Sequence, residues 1–73
     1  MDTIERIAVR SREIAIVGYD HETETLEIVF RRGGVYRYSG VPQQIYQSLM
    51  TAPSRGIYFG QSIKDKYPYR KIS

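Results

Sequence analysis

Seventy-three residues, 41% of them apolar and 26% charged, exclude both a disordered tail and a second core, because so short a chain buries only about 60% of the surface its unfolded form exposes. The sequence has no cysteine, which excludes disulfides, thiolate metal sites and cysteine nucleophiles together, and no stretch approaches the ~20 apolar residues of a membrane span. The net charge of +3 is unevenly divided: residues 1–30 carry three arginines against seven acids, −4, and residues 31–73 carry eight Lys or Arg against Asp65 alone, +7. Such asymmetry is expected of a surface that meets an anionic partner. The broken, acidic start Met1-Asp2-Thr3-Ile4-Glu5-Arg6 is no secretory signal, so the cytoplasm is the expected location, with no membrane partner.

Residues 1–8 read as a lead-in that can hold a short strand, since Ile4, Ile7 and Val9 fit neither the helical nor the strand period. The β-branched run Glu13 to Tyr19 predicts a first core strand. A polar turn over Asp20 to Glu24 follows, and Leu26, Ile28 and Phe30 alternate with Thr25, Glu27 and Val29 as a second strand. Gly33-Gly34 then predicts a hairpin into a third, Val35-Tyr36-Arg37-Tyr38-Ser39. Pro42 opens a helix to Ala52 whose apolar positions Val41, Ile45 and Leu49 repeat every four residues. Ser54 caps a second helix through Phe59, Ile63 and Tyr67, stopped by Pro68, and the basic end is expected to fray. The fold class is α+β: an antiparallel meander of about three strands followed by two helices on one sheet face, the other face partly open. Residues 9–69 form the single domain, and residues 70–73 are its basic C-terminal end.

No constellation predicts catalysis, a metal site or a cofactor. The single histidine, His21, lies between Asp20 and Glu22 in a predicted turn, where three neighbouring side chains rarely converge on one atom. Ser11, Ser39, Ser48, Ser54 and Ser62 lie in no nucleophile-elbow pattern. Asp20, Glu22 and Glu24 lack the glycine and closing glutamate of a calcium loop. Gly33-Gly34 is not followed by Lys-Ser or Lys-Thr, which excludes a phosphate-cradling P-loop. Neither an enzymatic role nor a small-molecule substrate is expected.

The segment Arg31-Arg32-Gly33-Gly34-Val35-Tyr36-Arg37-Tyr38 carries the functional signal. Tyr36 and Tyr38 share one face of a strand about 6.6 Å apart, a spacing that suits two stacked or splayed bases. A two-residue loop, which paired glycines favour, turns the rings away from Leu26, Ile28 and Phe30; a three-residue loop over Arg32-Gly33-Gly34 packs them into the core. In the exposed case the rings lie beside Arg31 and Arg37, with Arg55 at a helix N-terminus able to hold a phosphate. Lys64, Lys66, Arg70 and Lys71 interleave with Tyr67 and Tyr69 and repeat the theme. The expected partner is RNA or another single-stranded nucleic acid. The alternative is a protein partner or a second copy of the chain, met through an exposed strand edge with tyrosine anchors.

Taken in order, Gly18-Tyr19-Asp20, Phe30 before a glycine turn, Tyr36-Arg37-Tyr38, Val41-Pro42, Tyr46, Leu49, Ala52, Ser54, Gly56, Tyr58-Phe59 and Ile63 resemble the KTSC domain. The likeness runs from Val9 to Tyr69. That family is named for its occurrence at the C-terminus of some lysyl-tRNA synthetases and also occurs as small stand-alone bacterial and phage proteins. The resemblance implies a small module with a central Tyr-x-Tyr for which RNA binding has been suggested.

Overall fold

Apolar residues alternating with polar ones need a sheet with one covered face. The computed structural model, which describes residues 4–73, contains five antiparallel strands in the order β1-β2-β3-β4-β5. They are β1 (Glu5–Ala8), β2 (Ile14–Asp20), β3 (Thr25–Phe30), β4 (Val35–Tyr38) and β5 (Tyr69–Lys71). Two helices, α1 (Gln43–Thr51) and α2 (Arg55–Ser62), fall between β4 and β5 in the chain and pack over one face. The α+β class and the meander followed by two helices agree with the sequence; the strand number does not, and is corrected from about three to five.

The two added strands are the sheet's edges. All four residues of β1 and all three of β5 are exposed, so neither shows the burial period from which strands are read. The C-terminal end does not fray. Ser39 N donates to Pro68 O (2.9 Å), Ile72 N to Val35 O (2.7 Å) and Val35 N to Ser73 O (2.9 Å), which ties the end to β4. These bonds join residues 29 to 38 positions apart in sequence, beyond the reach of any local pattern.

Inside the sheet, the register slips by one residue between Ile14 and Ile16. This bulge, an extra residue that re-aims its neighbours, lets Ile14 face inward together with Val17 and Tyr19. The core closes over them with Leu26, Ile28, Val41, Leu49 and Ile63, all fully buried, each contributing about 1.5–3 kcal/mol of transfer free energy. Tyr19 can lie among them because its hydroxyl donates to Val41 O at 2.5 Å and its ring stacks on Tyr46 at 4.5 Å.

The β3–β4 hairpin decides where Tyr36 and Tyr38 point. Tyr36 pairs with Ile28 and Tyr38 with Leu26, which puts both rings on the inner face, the reverse of the two-residue-loop expectation. The loop has three residues, Arg31-Arg32-Gly33, closed by Phe30 N to Gly34 O (3.1 Å) and Gly33 N to Phe30 O (3.0 Å). Gly33 takes the positive φ (+106°) that follows a turn of this length. The second glycine serves another purpose: at Gly34, also at positive φ, a Cβ would lie 3.2 Å from Cε1 of Tyr36, whose ring folds back over it.

Both helix boundaries shift slightly from expectation. Pro42 precedes α1 with extended backbone and supplies its carbonyl to Ile45 N and Tyr46 N, so the helix begins one residue later. Ser54 caps α2 as expected, accepting from Ile57 N at 3.3 Å. That helix ends at Ser62 rather than running to Tyr67. Asp65 adopts φ +65° in a turn closed by Lys66 N to Ile63 O at 3.0 Å, which redirects the chain so that Pro68 onward can reach β4.

Candidate functional site

The inward register gathers aromatic rings beside α2. Five of them form a closed circuit of contacts: Phe30 to Tyr36 at 5.5 Å, Tyr36 to Tyr69 at 5.6 Å, Tyr69 to Tyr38 at 5.5 Å, Tyr38 to Phe59 at 5.4 Å and Phe59 back to Phe30 at 5.6 Å. Every pair is edge-on or tilted rather than stacked, the arrangement aromatic quadrupoles prefer. The strands, α2 and the final edge strand each supply part of the circuit. Tyr38 and Phe59 lie at its base, Tyr38 only 4% exposed, while Tyr69 stands at the rim, 60% exposed. These rings line a half-open cleft of about 790 Å³, within the ~300–1,000 Å³ typical of small-ligand sites.

The rim of the cleft is polar. Arg12, Arg31, Arg32 and Lys64 line it against Glu13 and Asp65, leaving a local excess of two positive charges. Arg31 is fixed by donating from Nε to Ser11 O (2.5 Å) and from Nη2 to Val9 O (2.9 Å). The side chains of Arg12, Arg32 and Lys64 make no ion pair among the described residues. Burial, with smaller contributions from Tyr69, Tyr36 and Asp65, pushes the Tyr38 phenol up to about 12. It therefore stays neutral around pH 7.

Of the residues expected to form one site, only some converge. Tyr36, Tyr38, Arg31 and Lys64 meet in the cleft, and Lys71 pairs with Tyr36 on the same face of the sheet. Arg37 and Arg70, paired with each other, lie on the opposite face, because alternation sends residue 37 away from its two tyrosine neighbours. Arg55 begins α2 in an adjoining hollow with Arg10 and Arg12, donating from Nη2 to Met50 O at 2.8 Å. Lys66 is exposed in the turn after α2. Sequence reasoning missed Phe30 and Phe59 as parts of the site and Arg12 as part of its rim, and named Tyr69 only as a ring interleaved with the C-terminal bases. Phe30 and Phe59 read as core, and Tyr69 belongs only through a strand with no periodic signal.

On the opposite face, Glu27 is 3% exposed and accepts from Arg6 Nε (2.6 Å) and Arg37 Nε (3.0 Å). Burial raises its pKa, but the bonds and charges of the two guanidiniums outweigh burial and hold the carboxyl below its ordinary value. His21, exposed at the β2–β3 turn, rests its ring edge-on against Tyr19 at 4.9 Å. Among the described residues no group of three or more His, Cys, Asp or Glu could hold a metal ion, and no helix is long and apolar enough to cross a membrane.

The fold and cleft define a small α+β binding module. The KTSC domain profile matches residues 10–67, and the chain belongs to that family. It superimposes on the crystal structure of a KTSC domain protein from Yersinia pestis with a TM-score of 0.93 at 43% identity, covering 96% of this chain and 99% of that one. An uncharacterized protein of Stutzerimonas stutzeri is 39% identical over 70 residues, 94% of this chain and 99% of its own. A lysine–tRNA ligase of Nostoc punctiforme is 40% identical over 55 residues, 75% of this chain, and the match spans 10% of the ligase.

Proposed function

We propose that this chain is a non-enzymatic module that holds single-stranded nucleic acid, RNA foremost, by seating a base against the aromatic cleft while phosphates meet the cationic rim. The observation that carries this reading is the juxtaposition of the five-ring circuit with Arg12, Arg31, Arg32 and Lys64 around one opening. Tyr69 offers the ring with the most free face, and stacking a base on an aromatic side chain contributes about 1–3 kcal/mol for any sequence. The match to part of a lysine–tRNA ligase, a protein named for a tRNA substrate, supports RNA.

The test is a titration of a short oligouridylate into isotope-labelled protein at low and moderate salt, followed residue by residue. Signals of Tyr36, Tyr69, Arg12, Arg32 and Lys64 move together. With four cations engaged, the logarithm of affinity falls against that of salt with a slope of about −3, taking about −0.7 per phosphate neutralised on a single strand. If those signals stay still at low salt, the cleft reading is wrong. The exposed apolar side chains on or beside the two edge strands, Ile7, Tyr69 and Ile72, favour a protein contact as the second reading, and that contact would survive salt.

A further inference from the structure

One residue from each of the five strands falls into a single register row on the face away from the helices: Arg6, Gly18, Glu27, Arg37 and Arg70. Glu27 lies at its centre, nearly inaccessible, with Arg6 on one side and Arg37 on the other. Gly18 makes the row possible. A Cβ there would meet Cγ2 of Ile4 at 2.6 Å and Cγ of Arg6 at 3.2 Å, so the arginine crosses the space a side chain would fill. Both arginine side chains remain partly exposed, 39% for Arg6 and 38% for Arg37. Arg37 uses only Nε on Glu27, and its terminal amino groups make no other bond among the described residues.

Stability of the fold does not account for the end of this row. Arg70 lies directly opposite Arg37, and its side chain has no ion pair among the described residues. Like charges directly opposite on neighbouring strands are destabilising; an acid at position 70 would have relieved the excess. Arg37 shares the one carboxylate, Glu27, with Arg6, so the β4–β5 end of the row carries positive charge without an acid of its own, presented on a rigid sheet. Strands lie about 4.8 Å apart, so Arg37 and Arg70 are spaced to grip one oxyanion between them, and guanidinium forks match phosphate geometry.

We propose that this end of the row is a second binding site, for the phosphodiester backbone of nucleic acid: Arg37 and Arg70 take a phosphate, and Glu27 is the positioning residue that holds Arg37. The site lies on the face opposite the cleft and does not need it; only the choice of nucleic acid as the polymer rests on the proposed function. The row reads no base, so it adds affinity without adding sequence preference.

Labelled oligouridylate binding to the intact chain tests this, with thermal unfolding run on each variant. Arg70→Gln, on an exposed edge strand, weakens binding about five- to tenfold and reduces the salt slope by about one contact. Glu27→Gln raises the net charge, so diffuse attraction alone would tighten binding; a positioned row instead weakens it. Either Arg70→Gln within twofold of the native chain, or a folded Glu27→Gln that binds as tightly or more tightly, overturns the proposal. Should Glu27→Gln fail to fold, Arg70→Gln decides alone. Tyr69→Ala separates the two faces: loss there with Arg70→Gln unaffected keeps the cleft and removes the row, and the converse keeps the row and removes the cleft. Capture of polyglutamate in place of the oligonucleotide overturns the proposal in favour of an acidic protein.

Discussion

Tyr38 gives the cleft a titratable signature that can be read without any ligand. Its phenol is raised from 10.0 to about 12, chiefly by burial. A phenol whose pKa is higher folded than unfolded contributes stability that is fully present below pH ~10 and is lost as the pH rises towards ~12. Linkage with those two values gives a loss of about 1 kcal/mol between pH ~9 and ~11 and about 2 kcal/mol by pH ~12, a large share of the few kcal/mol that a domain this small gains from its core. The assay is urea unfolding of the native chain and of Tyr38→Phe at those pH values, with tyrosinate absorbance followed in the folded protein. Tyr19 and Tyr46 are also raised, mainly by burial, and both remain in the variant, so their contribution cancels. The native chain is expected to lose about 1 kcal/mol more than Tyr38→Phe over the lower interval. Equal losses would refute the burial of this ring at the base of the cleft, and with it the inward register of β4.

Other predictions concern the frame that holds the site. Tyr19→Phe keeps the ring stacked on Tyr46 but strands the buried Val41 carbonyl, costing about 1–3 kcal/mol in urea unfolding, whereas Tyr36→Phe, with no hydroxyl bond to lose among the described residues, stays within about 0.5 kcal/mol. Gly18→Val forces a side chain into the path of Ile4 and Arg6; overpacking of about 1–3 kcal/mol appears as a lowered thermal midpoint. Ser54→Ala removes the α2 cap and lowers stability by about 0.5–2 kcal/mol. Glu27→Gln flattens the acid side of the stability profile, since a carboxyl held low contributes stability above its ordinary value that is lost as the pH falls through the folded one.

What the sequence made legible follows the range of the forces involved. The strand pattern of Leu26 to Phe30, the stop at Pro53 and the cap at Ser54 are local, and all three appear where expected. The direction of Tyr36 and Tyr38 turned on whether the hairpin loop holds two residues or three, and paired glycines do not fix that number: one glycine closes the turn and the other makes room for a ring. Glu27 had the look of the solvated position in an alternating strand. It is buried because Gly18 beside it has no side chain and Arg6 reaches across, a relation between strands that no single-strand pattern contains. Tyr69 was hidden for a similar reason, since its place depends on β4 accepting a three-residue edge.

These non-local features share a location. The family match ends at residue 67 and starts at residue 10, while Arg6 lies on β1 and Tyr69 and Arg70 lie on β5. The matched span holds three strands, two helices, the base of the cleft and Glu27 with Arg37; the two edge strands then complete a different surface on each face. Tyr69 closes the ring circuit on the inner face, and on the outer face Arg6 and Arg70 lengthen the guanidinium row at both ends. Edge strands so short gain little from propensity or burial and depend on their neighbours for position. Both proposed surfaces are therefore coupled to the docking of the edge strands: whatever loosens β5 from β4 removes a ring from one face and a charge from the other in the same step.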